Sequence, residues 1–187
     1  MSLILRNNPV GIDCAINFMQ DMLWDSLNPL WGDPLGSVDW ESVPRVYKTR
    51  HLDENGTVFY KPEYMSGTKE YNLETLFNDK VDVTSFFLKD DQVSFDNGDN
   101  QTDVSLIFSC DITKLYPNET QKPDELMHND IIKKVLTVGG DSWELNSMFT
   151  GVEDVYREFK KDDLNWSSTS HRHLVRFDFT VHYSTYC

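Results

Sequence analysis

The side chains best suited to chemistry gather in the C-terminal part of the chain: His171, His173 and His182, with Asp178 between them. Imidazole and carboxylate groups ligate metals and move protons near neutral pH. His171 and His173, two residues apart, would project to one side of an extended segment. A metal site needs further converging donors, usually at fixed short spacings, and two neighbouring histidines are more simply read as solvated polar residues. Asp90-Asp91 and Asp162-Asp163 are paired carboxylates, a pattern that suggests glycosidase chemistry or Ca²⁺ binding. Adjacent strand residues face opposite ways, and Ca²⁺ requires six or more oxygens, so both pairs read as solvated loops. The sequence contains no GxSxG, HExxH, Walker A or GxGxxG motif. Its one adjacent glycine pair, Gly139-Gly140, reads as a helix stop. The expectation is a protein that is not an enzyme, with no cofactor and no metal.

The element that holds these residues is the segment His173 to Tyr183, HLVRFDFTVHY. Alternation puts Val175, Phe177, Phe179, Val181 and Tyr183 on one face of a strand, and Leu174, Arg176, Asp178, Thr180 and His182 on the other. An apolar segment this close to the chain end needs pairing on both sides, so a central strand is expected. Arg176 and Asp178 are spaced to pair with each other or with a neighbouring strand.

Asn8 and Pro9 read as the N-cap and first residue of a helix. Its apolar face runs through Ile12, Ala15, Ile16, Met19, Met22, Leu23 and Leu27, widened by Phe18 and Trp24, and Asn28-Pro29 is expected to end it. Leu30 to Val43 has a loop composition, pinned by Trp31 and Trp40. Two strands, Arg45 to Arg50 and Thr57 to Tyr60, flank the turn Asp53-Glu54-Asn55-Gly56, in which Asn-Gly is a strong hairpin signal. This charged hairpin, at about 45–61, is expected to project as an arm. Leu73, Leu76 and Phe77 suggest one helical turn. Thr84 to Lys89 reads as a strand buried on both faces, Asp90 to Thr102 as a loop or wide hairpin, and Asp103 to Thr113 as another strand. A second helix follows Pro123, with Met127, Ile131, Val135 and the flanking Leu126, Ile132 and Leu136 buried, and stops at Gly139. Trp143 to Met148 is a short strand. Val152, Val155, Tyr156 and Phe159 fall at the spacing of a short amphipathic helix. No βαβα alternation occurs. The order predicts one α+β domain over residues 1–187, a mainly antiparallel sheet with two principal helices packed on it.

The chain has 187 residues and a formal charge of −14, with 39% hydrophobic and 13% aromatic residues. Between residues 53 and 103 there are 12 Asp/Glu against 4 Lys/Arg. That surface repels phosphate, which argues against sequence-specific nucleic-acid binding and against an anionic membrane surface. Cys14, Cys110 and Cys187 are scattered, and the MSLILRNNPV opening is too short for a signal peptide, so reduced thiols made in a cytosol are expected.

Several stretches together resemble the neck and tail-terminator proteins of tailed bacteriophages, particularly crAss-like and related phages of Bacteroidetes-type hosts. They are NPVGID, NDKVDVTSFF, DVSLIFSCDITKLYP, HNDIIKKVL, TGVEDVYREF and RFDFTVHY, which span most of the chain. The resemblance implies a small α+β subunit with two helices against a sheet, assembling as a ring that joins or seals the head–tail junction. It implies a virion location after synthesis in the host cytoplasm, with copies of itself and other neck or tail proteins as partners, and DNA passing through the ring. For such contacts the hairpin residues Asp53, Glu54 and Asn55 are candidates, and so are Arg157 and Glu158 beside the short helix. The other readings are a stand-alone carbohydrate- or peptide-binding module and a small hydrolase with a scattered site.

Overall fold

The computed structural model describes residues 2–31, 38–66, 70–74, 80–96, 99–160 and 172–185. In chain order these form β1 (Ser2–Leu3), α1 (Ile12–Trp31), β2 (Trp40–Leu52), β3 (Val58–Ser66), β4 (Glu70–Glu74), β5 (Val83–Lys89), β6 (Ser94–Asp96), β7 (Asp99–Cys110), α2 (Ile112–Leu115), α3 (Asp124–Gly139), β8 (Trp143–Thr150), α4 (Val152–Val155) and β9 (His173–Tyr183). The strands make one sheet in the order β4-β3-β2-β5-β7-β9-β8, with β1 added to β2 and β6 to β7. Neighbours are antiparallel except for β2 with β5 and β1 with β2. The class is α+β, with a curled, mostly antiparallel sheet.

α1 and α3 cover one face of this sheet. α1 buries Ile12, Ile16, Met19, Leu23, Leu27 and Trp31, a stripe of three- and four-residue steps. α3 contributes Met127, Ile131 and Val135. Beneath them lie Val104, Leu106, Phe108 and Cys110 of β7 and Val175, Phe177, Phe179 and Val181 of β9. The opposite face carries a smaller cluster: Val43, Val46, Phe86, Leu88, Ile107 and Leu174, covered by Val155, Tyr156 and Phe159 from α4 and the turns after it. Leu174 and Val175 belong to different clusters, as strand alternation requires.

The structure moves several boundaries. Asn8 does not cap α1; it and Gly11 have positive φ in the turn leading in, and the helix starts at Ile12. The helix also passes through Pro29, because its last turn is held by Trp31. That indole is buried against Trp40 and Phe108 and donates to the Tyr116 hydroxyl at 3.0 Å. A proline deletes one helical hydrogen bond, a cost that packing of this size offsets. Trp40 to Val43, expected in a loop, opens β2, and residue 73, expected in a helical turn, belongs to β4. β7 ends at Cys110: the Asp111 side chain accepts from Thr113 N and caps α2, so Ile112 and Thr113 leave the strand. On α3, Leu126 and Leu136 are exposed rather than buried. β9 is second from the sheet edge, and β7, paired with β5, β6 and β9, is more central. Cys110 is a buried free thiol, but Cys14 is half-buried and disulfide-bonded, which corrects the expectation of a reduced thiol there. Cys187, His171 and the Asp162-Asp163 pair lie outside the described residues.

Candidate functional site

β2 outruns its neighbours. Its pairing with β5 ends at Val46↔Leu88, and the pairing of β3 with β4 lies beyond Glu63. The five rungs from Lys48↔Pro62 to Leu52↔Val58 therefore form a two-stranded ribbon with no third strand among the described residues. At the rise of a strand this arm extends about 15 Å. Its tip is an Asx-type turn: Asp53 Oδ1 accepts from Asn55 N at 2.9 Å and Thr57 N at 2.7 Å, and Gly56 takes a positive φ. The Thr57 amide is the main reason the Asp53 carboxyl is held below its ordinary pKa. Alternation places Lys48, Arg50, Leu52, Val58, Tyr60 and Pro62 on one face of the arm. There Leu52, Val58 and Tyr60 are 60%, 42% and 41% exposed, which is unusual for a cluster of apolar side chains. The other face is tied down internally. His51 stacks on Phe59 and meets Glu63 Oε1 at 2.9 Å, while Lys160 lies over the Phe59 ring and donates its backbone N–H to Tyr60 O.

Lys160 joins the arm to the second group of candidates. Three residues before it, Arg157 donates through Nη2 to Asp178 Oδ2 at 2.8 Å and stacks on Phe149. Glu158 Oε2 accepts from Arg176 Nη1 at 2.5 Å, and Arg176 Nε donates to Asp178 Oδ1 at 2.6 Å. Ser105 Oγ adds a third donor to Asp178, at 2.6 Å. Arg176 is 4% exposed and sits at the floor of a cleft of about 290 Å³ whose walls include Lys48, Asp90, Asp103, Asn146 and Ser147. Burial alone would raise the Asp178 pKa, but the bonds from Arg176 and Ser105 and the nearby Arg157 outweigh it and the carboxyl lies below its ordinary value. The cations of this cleft are engaged: Arg157 and Arg176 by the two carboxylates, Lys48 by Asp90 at 3.9 Å. The arrangement fixes α4 and its following turns on the sheet.

The candidates Asp53, Glu54 and Asn55 thus sit at the tip of a ribbon, and Arg157 and Glu158 at its root, with Lys160 between. The Asn-Gly turn is legible in the sequence; the exposed Leu52, Val58 and Tyr60 face is not. No local signal marks it: Val58, Phe59 and Tyr60 are apolar in succession, and which of them is exposed depends on where β4 and β5 stop pairing. Of the histidines, His182 approaches Glu144 at 3.6 Å, while His173 is buried rather than solvated. It is 8% exposed and its Nε2 lies 2.8 Å from Nε2 of His128, itself 4% exposed. Among the described residues no group of three or more His, Cys, Asp or Glu is placed to hold a metal, and no helix is long and apolar enough to cross a membrane.

No protein-family model, curated protein or solved structure matches this chain.

Proposed function

We propose that this chain is a ring-forming structural subunit of a tailed-phage virion, one that joins or seals the junction between head and tail, with a fold of the tail-terminator kind. The observation that carries the reading is the arm. A ribbon that leaves the sheet and exposes Arg50, Leu52, Val58 and Tyr60 on one face has the composition of an interface core, in which Tyr and Arg are enriched. A ring closes by repeating a heterologous contact between two different patches, and a projecting arm that lies on the body of the next copy supplies such a contact. The buttress from Phe59 to Lys160 holds the arm's inner face, so the exposed face is presented rather than collapsed. A chain of charge −14 also suits a channel through which DNA passes without adhering. In this reading the partners are copies of the chain and adjoining neck or tail proteins. It acts through assembly, without catalysis or a cofactor.

The test is cross-linking from the arm within assembling particles. A photoreactive residue replacing Tyr60 should give a covalent ladder of this chain, two copies and upward. Particles that contain the chain but yield only links to other proteins, or none, contradict self-contact through the arm.

A further inference from the structure

The buried histidine pair belongs to neither the arm nor the cleft. His128 projects from the second turn of α3 and His173 opens β9, so the contact ties the helical layer to the sheet. The two Nε2 atoms are 2.8 Å apart and the ring centroids 5.0 Å apart. Those two distances together mean that the rings meet head to head, each Nε2 aimed at the other, rather than converging on a third point. A neutral imidazole has one N–H and one lone pair, so this contact closes only if one ring donates from Nε2 and the other accepts there. His128 Nδ1 is buried without a hydrogen-bond partner. An orphaned buried acceptor is tolerated better than an orphaned N–H, so His128 carries its proton on Nε2 and His173 accepts, keeping its own proton on Nδ1.

We propose that the His128–His173 contact is an acid-opened latch: it holds the N-terminal half of α3 on the sheet while both rings are neutral and releases it when they take up protons. The stoichiometry is strict. One internal proton fills the gap between the rings. With both rings charged, two N–H groups point at each other across 2.8 Å and the contact cannot persist. Phe177 packs edge-on against His128, and Cys110 pairs with His173 in the strand register, its thiol pKa pushed far up by burial. From the helix side, Asp124 and Glu125 favour a charge on the pair, while Lys122, which is 3.1 Å from Asp124, opposes it. Arg172, the neighbour of His173 along the chain, is turned to Ser109 and to the carbonyls of Val81 and Asp82. Burial dominates: it lowers the pKa of His128, and burial together with His128 pushes His173 down to about 4. A depressed histidine pKa means that the unfolded or opened chain binds more protons than the closed one. Stability is therefore complete above the ordinary histidine range and falls as pH drops from about 6.5 toward 4.

Hydrogen exchange of the intact protein from pH 7 to pH 4, corrected for intrinsic rates, tests this. Peptides from residues 124–139 should lose protection by roughly 10- to 100-fold across that window while peptides from 99–110 and 173–183 keep theirs. The double variant His128→Gln/His173→Gln, which cannot titrate, should hold its α3 protection over the same range. Simultaneous loss from helix and strands, or the same α3 opening in the double variant, overturns the latch. Should that variant fail to fold, NMR titration of the wild-type imidazoles decides: both rings becoming charged while α3 stays protected also overturns it.

Discussion

Replacing Arg176 by Met tests whether the cleft is a structural ion network. The guanidinium contacts Glu158 at 2.5 Å and Asp178 at 2.6 Å, and its side chain is 5% exposed. Removing one partner of a buried pair costs about 3–5 kcal/mol, because a charge is left without compensation. Two features place this case toward the lower end. Glu158 and Asp178 are 21% and 16% exposed at the side chain, so water reaches both. Asp178 also keeps Ser105 and Arg157. A loss of about 3 kcal/mol follows. It reads as a fall of about 1–2 M in the urea midpoint with an unchanged slope. The triple variant Arg176→Met/Glu158→Gln/Asp178→Asn leaves no buried charge unpaired, only Arg157 with its side chain 41% exposed, and should return to within about 1 kcal/mol of wild type. Lys122→Met, which breaks an exposed pair with Asp124, should shift stability by less than about 1 kcal/mol. If Arg176→Met matches Lys122→Met, or if the triple variant is as unstable as the single one, the network is not what holds α4 on the sheet.

Phe179→Ala should cost about 3–5 kcal/mol in thermal or urea unfolding, since the ring is fully buried with its centroid 5.6 Å from that of Trp143; an unchanged midpoint refutes its place in the core. Gly139→Ala should destabilise by more than about 1 kcal/mol, because a Cβ there would lie 2.6 Å from Trp143 Cβ; a neutral or stabilising result means that the α3–β8 junction opens readily. Asp178 has a lowered pKa, so its contribution is present above the ordinary carboxylate range and is lost as pH falls through its folded value. The acid-side loss of stability should therefore be smaller in Asp178→Asn, and an identical pH profile contradicts this. Arg157→Glu places a carboxylate beside Asp178 and should impair both stability and assembly. Normal stability with normal assembly removes Arg157 from any role at a subunit boundary.

The sheet strands were legible where a period of two ran long, as in β9, whose residues 173–183 match the expected segment, and in β5, whose buried residues include both Phe86 and Phe87. α3 was legible from its Pro and Gly punctuation. Boundaries set by tertiary contact were not. Nothing local tells that Trp31 will carry α1 through Pro29, or that Asp111 will turn the end of β7 into a capped helix. The candidate residues around Asp53 followed from Asn-Gly turn chemistry. The exposed face of the arm depends on where β4 and β5 stop pairing, which is a property of the whole sheet. The partnership of His128 with His173 joins residues 45 positions apart, and no spacing rule reaches that far.

The measurement that bears most directly on the ring proposal is a density map of the neck and tail of the phage particle to which that proposal assigns this chain, at a resolution that traces side chains. A closed ring of copies at the head–tail junction or tail end is expected, with Arg50, Leu52, Val58 and Tyr60 of each copy buried against the next. Absence of the chain from every ring there would contradict the proposed function. A ring whose arms point into solvent would retain the location and contradict the arm as its contact.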